Sequence, residues 1–165
     1  MDHPPCSSDA AKLVSGLVSR SLTLATAESC TGGLIAARLT DIPGASAVFL
    51  GGVVAYDNRV KREMLRVPAE TLAAHGAVSA ETAIAMAEGV RARTGADLAV
   101  STTGIAGPGG ATPGKPVGTV HIGLSGGNAP ATATCFHFAG DRPEVRRQAV
   151  DAAIALLLDR LGAGA

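Results

Sequence analysis

Short apolar, β-rich runs alternate with segments of helical periodicity along this chain, and that alternation restricts it to a sheet with helices packed on its faces. Strand-like runs at 22–27, 48–55 and 97–102 are separated by helical patterns near 34–41, 57–66, 69–75 and 80–94. Ser79 suits the N-cap of the last of these, Glu81 lies near its positive end, and Gly95 stops it. Runs 117–125 and 132–138 flank Gly126-Gly127-Asn128, a hairpin signal. Helices at 9–20 and at about 141–161, the latter opened by Asp141-Arg142-Pro143, bracket the rest. The expected fold is α/β, a three-layer α/β/α sandwich with a mixed, mostly parallel sheet. It forms one domain over 9–165 after a flexible tail, 1–8, marked by Pro4-Pro5 and Ser7-Ser8.

The apolar fraction is 47% but aromatics are only 2%, so the core must be built from Ala, Val, Leu and Ile. Helices on such a core approach the sheet closely. Fourteen basic residues balance fourteen acidic ones, which leaves no global field to draw in nucleic acid or a membrane surface. Cys6, Cys30 and Cys135 are odd in number and lack CxxC spacing, which argues against a disulfide framework. No leader-like stretch opens the chain, and its longest apolar run, 47–56, is too short to span a bilayer. A cytoplasmic protein is expected.

The first run leads into Thr26-Ala27-Glu28-Ser29-Cys30-Thr31-Gly32-Gly33 and then a helical pattern, so Ser29 and Thr31 fall at a strand-to-helix junction. Backbone N–H groups at such a junction suit an anion or the oxyanion formed when a nucleophile attacks a carbonyl. The plainer reading has Ser29 or Thr31 capping the helix and the two glycines allowing close packing. Downstream, Lys61 shares a helical row with Met64 and Leu65, while Arg59, Arg62 and Arg66 point elsewhere. A lysine at the edge of an apolar row is either desolvated enough to act as a base or simply snorkels.

Gly104–Pro116 is a long Gly- and Pro-rich loop containing Gly109, four residues, then Gly114-Lys115. It is not a nucleoside-triphosphate loop, because Pro116 stands where a magnesium-binding hydroxyl belongs and a strand pattern follows it. Loops this long in a compact domain are more often functional than idle. Arg142 and Arg146, one turn apart, can meet a phosphate or pair with carboxylates. His121, Cys135 and His137 lack the spacing and the fourth ligand of a zinc site, and surface or sheet packing is their expected role.

Taken together, Ala27–Gly33, Tyr56-x-Asn58-x-x-Lys61, His75–Ser79, Thr103–Pro108, Lys115–Gly118 and Gly140-Asp141-Arg142 resemble the CinA C-terminal domain family over about 22–161. The N-terminal domain of the family's longer members has no counterpart in these residues. Stand-alone members of that family include nicotinamide-nucleotide amidases, so the resemblance implies an enzyme that hydrolyses nicotinamide mononucleotide to nicotinate mononucleotide and ammonia. By the same resemblance Ser29 is the nucleophile, Lys61 the general base and Tyr56 an assisting hydroxyl. Cys30, Thr31, Gly32, Asn58, Thr103, Gly104, Ala106, Gly107 and Arg142 are then expected to bind the substrate, with Arg142 on its phosphate. Asp57 occupies a position where the family often has Ser, and it either holds Lys61 charged or caps the helix away from the cleft. The resemblance calls for no cofactor or metal, no nucleic acid or membrane partner, and a small-molecule nucleotide as substrate. A homo-oligomer, with a dimer favoured, is expected. The competing expectations are a non-catalytic ligand-binding or competence- and damage-associated module, or an amidase for another small amide.

Overall fold

The structure, a computed structural model, describes residues 6–163, with side chains from residue 9 onward. Residues 1–5 of the expected tail lie outside the described residues, and the first helix, α1, spans Cys6–Arg20. The elements that follow are β1 (Leu24–Glu28), α2 (Leu34–Thr40), β2 (Phe49–Val54), α3 (Asn58–Leu65), α4 (Ala69–His75) and α5 (Ala80–Thr94). The chain closes with β3 (Leu98–Gly104), β4 (Thr119–Gly126), β5 (Thr132–His137) and α6 (Arg142–Ala163). The strands form one sheet in the order β2-β1-β3-β4-β5. β1 runs parallel to both β2 and β3, whereas β4 is antiparallel to β3 and β5 to β4. All strands but β4 therefore point the same way, in a mixed sheet of the kind the alternating pattern predicts.

Period-two alternation along the strands sends side chains to two separate cores. On one face Leu24, Leu98, Val100, Ile122 and Leu124 pack against Leu13 and Leu17 of α1, Ile35 and Leu39 of α2, and Ile154 and Leu157 of α6. The other face offers Ala25, Ala27 and Ala99, with part-buried Val53, to Leu65, Met86 and Val90. Small residues there bring α5 close to the sheet and to α3. A Cβ on Gly89 would strike the Leu65 carbonyl, and one on Gly123 would strike the Ala83 carbonyl. Each fully buried leucine contributes about 1.5–3 kcal/mol, so the first face supplies more of the stability and the second the close approach.

β1 lies one to two residues later than the periodicity predicts, ending at Glu28 rather than Ala27, and all five of its residues are buried. That shift carries a carboxylate inside. The 104–116 loop is also more ordered than its composition suggests: Thr112 and Lys115 exchange backbone hydrogen bonds of 3.0 and 2.9 Å across Pro113-Gly114, and Gly118 N–H donates to Ile105 O at 2.8 Å. Among the described residues no helix is long and apolar enough to cross a membrane.

Candidate active site

The carboxyl ends of β1, β2 and β3 lie side by side, and the segments leaving them carry Ser29, Ala55-Tyr56 and Ile105–Gly107. Crevices at the carboxyl ends of parallel strands are where open α/β sheets bind ligands. Lys61 reaches this point from the first turn of α3. Its backbone belongs to a helix that Asp57 caps, the Asp57 carboxylate accepting the Arg59 N–H at 2.7 Å. Asp57 thus turns toward its own helix, the second of the two roles open to it from sequence.

The Lys61 side chain points inward and is only 1% exposed, so it does not snorkel. Its Nζ donates to Ser29 Oγ at 3.1 Å, to Ala55 O at 2.9 Å and to Tyr56 O at 3.2 Å. Two carbonyls therefore fix two N–H bonds of the amine, and the third direction faces the serine. In the neutral amine that direction holds the lone pair. Burial lowers the Lys61 pKa from its ordinary value, against smaller opposing pulls from Cys30 and Asp57. Among the described residues no carboxylate forms an ion pair with it. The arrangement can move a proton between Ser29 and Lys61 without bridging water.

The backbone N–H groups of the Ser29 turn can be followed one by one. Ser29 donates to Thr102 O at 2.9 Å, Gly32 to Ser29 O at 3.1 Å and Leu34 to Thr31 O at 3.2 Å. Gly33 and Ile35 both donate to Glu28 Oε2 at 3.0 Å, and Ala36 donates to Glu28 Oε1 at 2.9 Å. Glu28, 1% exposed, thus caps α2 from the preceding strand, and neither Ser29 nor Thr31 does so. The Thr31 hydroxyl instead donates to Glu28 Oε2 at 2.6 Å and lies 2.7 Å from Thr102 Oγ1. A built-in carboxylate occupies the positive end of this helix, which corrects the reading of that end as an open anion site. In the turn only the N–H groups of Cys30 and Thr31 lack an acceptor among the described residues. Gly32, expected to bind the substrate, has its N–H committed to the turn itself.

The other residues singled out from sequence divide into those near this point and those turned away. Tyr56 is 60% exposed; its carbonyl holds Lys61, while its hydroxyl accepts a hydrogen bond from Arg142 Nη2 at 2.8 Å instead of meeting Ser29 or Lys61. Arg142 also donates to Gly107 O at 2.9 Å, tying the loop after β3 to the start of α6. Asn58, exposed, opens α3, and Gly104 lies against the Thr119 carbonyl. Thr103 donates its hydroxyl proton to Ala77 O at 2.6 Å, and Ala106 is part of the larger core, so neither offers a free donor side chain. Arg146 touches the Ser29 turn through Cys30 O and Thr31 O at 3.1 and 3.0 Å.

Cys30 is buried, and burial pushes its thiol up to about 11, which makes it a packing group beside Ser29. His121 pairs in register with Cys135, and burial lowers the His121 pKa. No group of three metal-ligating side chains occurs among the described residues. A groove of about 770 Å³ between α3, α4 and α5 has neither Ser29 nor Lys61 on its wall. Glu28 and Arg146 both hold the Ser29 turn; sequence reasoning gave Glu28 no role and offered Arg146 a phosphate or a carboxylate, whereas it donates to two carbonyls. A carboxylate just before a turn with two glycines was the available hint for the first.

Comparison with known proteins gives a consistent answer. The profile of the CinA C-terminal domain family matches residues 7–161. A CinA-like protein of Chlorobaculum tepidum is 50% identical over 153 residues, which cover 90% of this chain and 36% of that protein. One from Frankia casuarinae is 55% identical over 141 residues, 86% of this chain and 32% of its own length. The chain thus spans about a third of the length of these curated relatives. Among solved structures, the competence/damage inducible protein CihA of Agrobacterium tumefaciens superposes with a TM-score of 0.92 at 42% identity, covering 97% of this chain and 99% of that one. A CinA superfamily protein of Klebsiella pneumoniae gives 0.92 at 36% identity over 96% and 99% of the two chains.

Proposed function

The chain belongs to the CinA C-terminal domain family, and on that footing we propose that it is an amidohydrolase that converts nicotinamide mononucleotide to nicotinate mononucleotide and ammonia. The observation that carries the reading is the buried Lys61 amine, 3.1 Å from Ser29 Oγ and oriented by two carbonyls.

In the proposed reaction Ser29 Oγ attacks the carboxamide carbon while its proton passes to neutral Lys61. The carbonyl oxygen becomes an oxyanion facing the free N–H groups of Cys30 and Thr31. Donors of this kind contribute a factor of about 10²–10³ each in rate. As the intermediate collapses the C–N bond breaks, and the Lys61 proton leaves with the nitrogen as ammonia. Lys61, neutral again, then activates the water that hydrolyses the acyl-serine ester and releases nicotinate mononucleotide. Tyr56 supports the base through its carbonyl, and its phenol forms an exposed rim with Arg142, the residue proposed to meet the substrate phosphate. Asn58, Gly104 and Gly107 are the remaining proposed contacts.

The test is ammonia release by purified, chelator-treated protein from nicotinamide mononucleotide, beside nicotinamide riboside and free nicotinamide. Release from the mononucleotide alone is expected, since the scheme assigns a cation to the phosphate. Release from none of the three, by protein shown to be folded, refutes the substrate assignment. Release from the riboside at an equal rate refutes the role given to Arg142.

A further inference from the structure

We infer that Arg146 is a positioning residue that aims the two free N–H groups of the Ser29 turn from across the domain, an inference that rests on the proposed role of Ser29. The turn contains three successive peptide groups, 29–30, 30–31 and 31–32. In a planar trans peptide the C=O and N–H point in opposite directions, so fixing the carbonyl fixes the direction of the N–H.

Arg146 Nε donates to Cys30 O at 3.1 Å, and that carbonyl shares its peptide with the free Thr31 N–H. Arg146 Nη2 donates to Thr31 O at 3.0 Å, which shares its peptide with the Gly32 N–H. The Gly32 N–H in turn donates to Ser29 O at 3.1 Å, and that carbonyl shares its peptide with the free Cys30 N–H. One guanidinium thereby holds two peptides directly and the third through Gly32. Drawing electron density toward the cation also makes the Thr31 N–H a stronger donor, since linked hydrogen bonds polarise one another.

The surroundings fit this role. Arg146 lies between buried Val145 and Ala149, so α6 anchors it in the larger core. Among the described residues no carboxylate forms an ion pair with it, and its charge is spent on the two carbonyls. Gly32 has φ 61°, and a Cβ there would come within 3.3 Å of Arg146 Nη2. The rigid fork of arginine can hold two neighbouring carbonyls at once, which the single ammonium of lysine does less well.

The experiment compares wild type, Arg146→Met, Arg146→Lys and Arg146→Ala in two assays. One is turnover of nicotinamide mononucleotide, and the other is acylation of Ser29 by p-nitrophenyl acetate followed by intact mass, with Ser29→Ala as control. Arg146→Met is expected to lower kcat and the acylation rate by about 10- to 100-fold while changing KM less than about 3-fold. Arg146→Lys is expected to fall between Arg146→Met and wild type. Guanidinium at sub-denaturing concentration is expected to restore part of the rate to Arg146→Ala, which a merely unfolded variant would not show. Unchanged acylation in Arg146→Met overturns the inference while leaving the Ser29 reading intact. A raised KM at unchanged kcat overturns it by showing that Arg146 binds substrate. Absence of Ser29 acylation in the wild type brings down the nucleophile assignment and this inference with it, and it is recognised in the wild-type arm alone.

Discussion

Replacing Glu28 tests whether a carboxylate supplied by β1 holds the Ser29 turn and the start of α2 together. Glu28 accepts four hydrogen bonds at 2.6–3.0 Å, from the Thr31 hydroxyl and from the N–H groups of Gly33, Ile35 and Ala36. In Glu28→Ala the Thr31 hydroxyl can still turn to Thr102, and water can reach the half-buried Gly33 and Ala36. Ile35 is fully buried, and its orphaned N–H costs about 1–3 kcal/mol. With about 1 kcal/mol for each rehydrated donor and the lost packing, the total comes to about 4 kcal/mol. Glu28→Gln keeps the shape and one acceptor. If the amide oxygen takes the place of Oε2, its NH₂ opposes the Ala36 N–H, and the favourable charge at the helix end is gone. We expect a loss of about 2–3 kcal/mol. For a chain of this size each kcal/mol shifts the melting temperature by about 2–4 °C. Thermal melts followed by circular dichroism should therefore fall by about 4–12 °C for Glu28→Gln and by about 8–16 °C for Glu28→Ala. A fall below about 2 °C in both variants would refute the capping argument, because Glu28 Oε2 is the acceptor of the buried Ile35 N–H.

Four further outcomes follow from the same geometry. Lys61→Met should abolish turnover, and wild-type kcat should rise with pH and level off below the ordinary lysine value of 10.5; a profile governed by a group at or above 10.5 would exclude Lys61 as the base. Because the unfolded chain binds the Lys61 proton more tightly than the native one, the native state bears the full cost of burying that charge below the depressed native pKa. Wild-type stability should then rise with pH from that value to 10.5, a slope that melts of Lys61→Met should lack. Gly89→Ala places a methyl group against the Leu65 carbonyl and should cost about 2–3 kcal/mol in urea unfolding, although alanine is the better helix former. At about pH 8, iodoacetamide followed by peptide mapping should label exposed Cys135 and leave Cys30 unmodified; rapid labelling of Cys30 in the native protein would contradict its burial and its raised thiol pKa of about 11.

The layers of this fold were legible because they depend on local pattern. Apolar periodicity, the Ser79 cap and the 126–128 turn each act over a few residues, and the structure has strands or helices at every place those signals predicted. The inward direction of Lys61 could likewise be read in part, since its helical row includes the buried Leu65. Three details could not be read this way. β1 extends to Glu28 because pairing with both β2 and β3 carries it past the apolar run. Tyr56 turns its hydroxyl to Arg142, 86 residues away, and leaves its carbonyl to the lysine. Arg146 finds the Ser29 turn across more than a hundred positions of chain.

By itself the sequence determined which elements form, which faces they bury and which chemically capable side chains stand at the ends of the parallel strands. Tertiary structure alone decided which backbone donors remain free beside Ser29. Each N–H in the turn is spent or spared according to acceptors brought from Glu28, Thr102 and the turn's own carbonyls, while Arg146 holds those carbonyls in place, and such contacts exist only once sheet and helices have closed around them.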